Sequence, residues 1–94
     1  MITITTGQYT SEQIQASAEF LESFLPKVRK FPGVVAIYHY VRPEMGDEST
    51  IIIWESPEAL KQYRESDLVK EAMAFEKKMA MPTTREAHPL QISL

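Results

Sequence analysis

The stretch Thr50 to Ala72, TIIIWESPEALKQYRESDLVKEA, decides how this chain folds. Thr50, Ile51, Ile52, Ile53 and Trp54 are β-branched or aromatic side chains that pack well on a pleated surface, so they predict a strand. Ser56 can accept the free amide hydrogens of a helix start, Pro57 lacks only an N–H that needs no partner there, and Glu58 complements the positive helix end. A strand therefore runs directly into a capped helix. Ala59, Leu60 and Tyr63 give that helix a short inward stripe. Ser66-Asp67 looks like a second cap, after which Leu68, Ala72, Phe75 and Met79 recur at spacings of 4, 3 and 4 until Pro82 ends the pattern. Trp54, the only tryptophan, stands at the carboxyl end of the strand, where a sheet edge and a helix start could enclose a pocket.

Toward the amino terminus, Ile2, Thr3, Ile4 and Thr5 alternate with period two, which predicts a strand with one apolar face, ended by Gly7. Thr10 and Gln13 fit a capping box, and Ile14, Ala18, Leu21, Leu25 and Val28 then form one helical stripe, broadened by Phe20 and Phe24. Pro26 removes a backbone donor and crowds the preceding turn, so this helix is expected to kink or stop near Leu25, with a brief continuation through Lys30 left open. Phe31-Pro32-Gly33 is a break. Val34 to Val41 is the second strand, with Val35, Ile37, His39 and Val41 on one face and Val34, Ala36, Tyr38 and Tyr40 on the other. Arg42 to Ser49 is expected to be the connecting loop. The strand that follows sets Thr50, Ile52 and Trp54 opposite Ile51, Ile53 and Glu55. At the carboxyl end, Leu90, Ile92 and Leu94 alternate with Gln91 and Ser93 as a last strand, and Pro89 favours an edge position.

The resulting order is β-α-β-β-α-β, an α+β, ferredoxin-like arrangement in which a four-stranded antiparallel sheet carries its helices on one face. Two strands apolar on both faces ask for a second cover, and a homodimer through the open sheet face is the economical one.

A chain of 94 residues holds a single domain, 1–94, because two cores of half this size would bury too little apolar surface. With 44% hydrophobic and 24% charged residues it reads as globular, and no apolar run approaches the roughly 20 residues of a membrane span. The start MITITTGQYT lacks the pattern of a secretory signal and there is no cysteine, so cytoplasmic residence without thiol chemistry is expected. A net charge of −3 with dispersed basic residues argues against a nucleic-acid partner. His39 and His88 lie far apart with no carboxylate pattern between them, so no metal site is expected, and Gly7, Gly33 and Gly46 are too isolated for a phosphate loop.

Phe31-Pro32-Gly33-Val34, the strand ending Trp54-Glu55-Ser56, the Pro57-Glu58-Ala59 that follows and the segment from Tyr63 to Ser66 together resemble the antibiotic biosynthesis monooxygenase family. The resemblance covers nearly the whole chain and is strongest over residues 31–72. It implies a dimeric α/β barrel, two sheets packed face to face, with a small-molecule pocket between each sheet and its helices. Some members oxidise aromatic polyketides with dioxygen and no metal or flavin; others bind and degrade haem. The oxidising members have a tryptophan that Trp54 matches, an asparagine where this chain has Thr50 and a tyrosine where it has Leu60. A tyrosine that some place on the preceding strand falls at His39. The haem-degrading members have a tryptophan at the position of Tyr63, a haem-ligating histidine at that of Met73 and an asparagine on the first strand. This sequence contains no asparagine, which argues against haem degradation by that route.

If the matching residues of strands two and three share a face, Ile37, His39, Thr50, Ile52 and Trp54 line one mostly apolar cavity beneath the helices, with Tyr63 and Met73 completing the substrate-binding set. Such a pocket suits a flat aromatic ligand stacked on the indole. His39 is the one side chain of the set whose ordinary pKa suits it to abstract a phenolic proton near neutral pH, and Trp54 and His39 are the catalytic candidates. Each also has a plain structural role: Trp54 as a core residue closing the sheet, His39 as a packed histidine bonded to a carbonyl. Two functions follow. One is a cofactor-independent monooxygenase acting on a small phenolic or quinol-like molecule. The other is a non-catalytic homodimeric small-molecule-binding protein of the same fold.

Overall fold

The computed structural model describes residues 1–90. β1 (Ile2–Gln8) leads into α1 (Ser11–Arg29), whose start is closed by the expected capping box: Gln13 N–H donates to Thr10 Oγ1 and Thr10 N–H to Gln13 Oε1. β2 (Val34–Arg42) and β3 (Asp47–Trp54) form a hairpin, followed by α2 (Pro57–Arg64), α3 (Asp67–Lys78) and β4 (Thr83–His88). The strands make one antiparallel sheet in the order β2-β3-β1-β4, the ferredoxin-like topology with the helices on one face. The helix read from Ser56 to Pro82 is two helices. Ser56 Oγ accepts from Ala59 N–H as a cap should, whereas Ser66 donates its hydroxyl back to the Tyr63 carbonyl at 2.6 Å and closes α2 instead of capping α3.

Phe24, Val28, Val34, Trp54, Ala59 and Leu60 form the buried core where α1 and α2 meet the ends of β2 and β3. Each of the larger ones contributes roughly 1.5–3 kcal/mol by leaving water. The core closes tightly at Gly33, whose φ of +90° suits glycine and whose absent Cβ would lie 2.3 Å from Ala59 Cβ.

Four expectations change. α1 does not stop at Leu25 but continues to Arg29, because Pro26 sits on its exposed side, where the carbonyl that loses its bond can face water. β3 begins at Asp47, not Thr50; as an inner strand it is bonded by β1 and β2 together, and this ladder holds Asp47, Glu48 and Ser49 in a strand despite their weak preference for it. Ser17, not Ala18, takes the inward position on α1. β4 spans Thr83–His88, on the sheet edge and ahead of Pro89; the alternation of Ile92 and Leu94 lies outside the described residues.

An irregularity at Val35 also redistributes β2. Val34 pairs with Trp54 and Ala36 with Ile53, so those two fall on opposite faces, with Val34 buried under the helices and Val35 52% exposed. Beyond it the alternation holds: Ile37 and His39 face the helix side, and Tyr38 and Tyr40 the open side.

Candidate functional site

Period two along β3 puts Glu48, Thr50, Ile52 and Trp54 on the helix side of the sheet, and the register aligns Thr5 with Thr50 and Thr3 with Ile52. Above them lie Ser17, Phe20, Leu21 and Phe24 of α1, Leu60 and Tyr63 of α2, and Ala72 and Phe75 of α3. Together they enclose a cavity of about 150 Å³, with Tyr9, Met81, Glu76 and Arg85 at its far end. Its roof is aromatic. The Phe20 ring stacks on Phe24 at 4.9 Å and on Phe75 at 4.2 Å, the latter within 3° of parallel.

Trp54 is 2% exposed and forms a wall, its indole N–H donating to Thr3 Oγ1 at 2.9 Å. Its ring lies 5.1 Å from that of Tyr63, which meets Phe31 edge-on at 5.6 Å. Burial pushes the Tyr63 phenol up to about 12; Glu76 and Glu71 add to the rise and Arg85 opposes it. At physiological pH Tyr63 is therefore a neutral hydrogen-bonding group, not a base. At the far end the Tyr9 ring covers Gly7, where a Cβ would come within 2.1 Å of it, and the Tyr9 hydroxyl meets Thr83 Oγ1 at 2.9 Å. Burial raises the Tyr9 pKa as well. Arg85 Nη2 donates to both carboxylate oxygens of Glu76, at 2.5 and 2.6 Å.

The polar centre of the cavity is Glu48. It is 7% exposed, and its Oε1 accepts from Ser17 Oγ at 2.5 Å. His39 Nε2 stands 3.3 Å from the same oxygen, at ion-pair distance, reaching it from β2. Among the described residues no three His, Asp or Glu side chains gather into a metal-ligand set.

No family model and no curated protein matches this sequence. Solved structures match the fold along nearly its whole length. A Deinococcus radiodurans protein assigned as an antibiotic biosynthesis monooxygenase aligns over 99% of this chain and 96% of its own, with a TM-score of 0.79 and 14% identity. The chain has the antibiotic biosynthesis monooxygenase fold. A second protein so assigned, from Nitrosomonas europaea, aligns over 97% and 98% with a TM-score of 0.81 and 11% identity. SnoaB from Streptomyces nogalater, a cofactor-independent oxygenase crystallised as an asparagine-to-alanine variant, aligns over 99% and 94% with a TM-score of 0.77 and 12% identity.

Within this monooxygenase-type fold, Thr50, Ile52, Trp54 and Tyr63 line the cavity, as the sequence placed them. Ile37 and His39 share their face of the sheet but stand one strand further out, against a shallow depression with Leu25, Pro26 and Arg29. Met73 is 54% exposed and outside the lining, because α3 turns Ala72 and Phe75 inward and Met73 points about one helical step away from them. Glu48 and Ser17 are the residues the sequence analysis missed. Counting back by twos from Trp54 reaches Glu48, a signal overridden by the loop-like composition of the segment. Ser17 carried no such signal, since a small polar residue inside an apolar stripe reads as surface.

Proposed function

We propose that this protein is a cofactor-independent monooxygenase acting on a small phenolic or quinol-like molecule, working as a homodimer joined through the open sheet face. The observation that supports it is the cavity, with aromatic walls and with hydroxyls and the Glu48 carboxylate at the middle of its floor, an arrangement suited to a flat ring bearing an oxygen. The chemistry closes without a bound cofactor. Removing a phenol's proton makes its ring electron-rich; dioxygen attacks the ring carbon, one oxygen atom stays there as a carbonyl, and the other leaves as water. The substrate supplies all four electrons and becomes a quinone. In this proposal Trp54 stacks against the ring, Thr50 and Tyr63 orient it with Ile52 beneath, and the phenol's proton passes to His39, the base, by way of the Glu48 carboxylate that stands between them. His39 reaches the cavity only through Glu48.

One observation favours a non-catalytic binding protein instead. SnoaB was studied as an asparagine variant, and this chain has no asparagine. The deciding measurement is dioxygen uptake by the purified, metal-free protein with hydroquinones, anthrones and polyphenols, for the parent, Trp54→Phe and His39→Ala. Uptake above background that His39→Ala abolishes is the expected result. Absence of uptake, with ligands still shifting the Trp54 fluorescence, would leave the binding protein.

A further inference from the structure

A buried carboxylate is costly unless something holds its charge, so the position of Glu48 needs a reason. Both of its contacts, the Ser17 hydroxyl and His39 Nε2, fall on Oε1. Among the described residues none reaches Oε2, yet no buried side-chain oxygen or nitrogen there lacks a partner. Oε2 therefore keeps some accessible surface, and Glu48 is a lining residue of the cavity. Thr5 and Thr50 lie on neighbouring positions of the same floor and add only neutral hydroxyls. Of the other carboxylates in the lining, Glu76 is held by Arg85 and Glu86 stands beside it at the far end, so the middle of the cavity offers a bound ligand Glu48, braced from α1 and β2.

The volume limits what that ligand is. A cavity of about 150 Å³ is on the order of the space that takes one benzene-sized ring. A three-ring molecule exceeds that volume and would have to reach out through the cavity's open side.

We propose that Glu48 anchors the ligand, its Oε2 accepting a hydrogen bond from the ring hydroxyl of a single-ring phenol, with Ser17 and His39 as positioning residues that hold the carboxylate in place. This rests on the function proposed above and narrows its substrate to monocyclic phenols. A hydrogen bond to a charged acceptor contributes roughly 1.5–3 kcal/mol, which is about 10- to 100-fold in affinity.

The test is the affinity of the intact protein for phenol, for toluene, which has the same shape without the hydroxyl, and for anthrone, read from Trp54 fluorescence and from NMR line shifts. In the parent, phenol binds at least about 10-fold more tightly than toluene, and anthrone binds more weakly than either. Glu48→Gln keeps the shape and removes the charge; it lowers phenol affinity by about 10-fold and leaves toluene unchanged. His39→Ala narrows the phenol-to-toluene ratio and His39→Gln, which still carries a donor, restores it, whereas a merely structural role would shift both ligands together. Equal affinities for phenol and toluene in the parent would overturn the anchor while leaving the cavity as a binding site, and this comparison needs no variant to fold. Binding of none of the three would remove the function proposed above along with it. Anthrone binding as tightly as phenol would overturn the single-ring limit.

Discussion

The two faces of the sheet are built the opposite way round from a simple globular domain. Beneath the helices β1 and β3 present Thr3, Thr5, Glu48 and Thr50 along with Ile52 and Trp54. Away from them the same strands present Ile2, Ile4, Ile51 and Ile53, beside Tyr38 and Tyr40 of β2, which are 62% and 46% exposed. The covered face is the more polar in its middle. A sheet that buried its most apolar side against its own helices would gain more stability and have no room for a ligand. The difference gives one sheet two characters: a partly polar floor for a cavity on one side, and on the other an apolar surface exposed in the single chain.

The sharpest way to break this comparison is Ile51→Asp, which puts a carboxylate in the middle of the open face. If that face joins two copies, the variant weakens association by about 100-fold or more, and sedimentation gives the monomer mass where the parent gives twice it. Thr50→Asn, one residue along and on the other face, leaves the mass unchanged. An Ile51→Asp protein that still sediments with the parent would remove the open face from the interface.

Trp54→Ala attacks the covered face. It removes a core side chain and leaves Thr3 Oγ1 without its donor, at a cost of about 3–5 kcal/mol and a melting temperature lower by roughly 15 °C or more. Because the loss lies within one subunit, it should not vary with protein concentration, unlike that of Ile51→Asp. A concentration-dependent loss would mean that the two faces are coupled.

A smaller effect tests how dry the cavity wall is. Tyr63 holds its proton up to about 12 when folded, against about 10 in an unfolded chain. Between those values the unfolded state has released a proton that the folded state keeps, so stability is fully present below pH 10 and declines as pH rises toward 12. Tyr63→Phe should recover up to about 1 kcal/mol of that alkaline loss, seen as a smaller difference between urea melts at pH 9 and pH 11. Equal differences in parent and variant would mean that water reaches the phenol.

Local chemistry made much of the fold legible. The β-branched run from Thr50 to Trp54 and the capping signals at Thr10-Gln13 and Ser56-Pro57 each act over a few residues and were expressed as read. So were Thr50, Ile52 and Trp54 as cavity lining, because period two along one strand needs no knowledge of its neighbours. His39 was placed correctly on its face but not at its depth, since how far α1 overhangs β2 is a property of packing. Met73 lies outside the lining for a related reason: a position matched by alignment says nothing of which way a separate helix is turned.

From residue types and spacing alone came the order of the elements, with the two helices after Trp54 counted as one, the strand-to-helix turn after Trp54 and the apolar character of the second sheet face. Those follow from steric and hydrogen-bonding rules that operate within a few residues. Tertiary structure alone decided that Asp47, Glu48 and Ser49 are strand, that Pro26 stays inside its helix and that Ser17 and Glu48 meet in the interior. In each case the determining partner lies far along the chain: the β1 and β2 ladders on either side of Asp47–Ser49, the open solvent beside Pro26, and the carboxylate of Glu48 above which Ser17 is set.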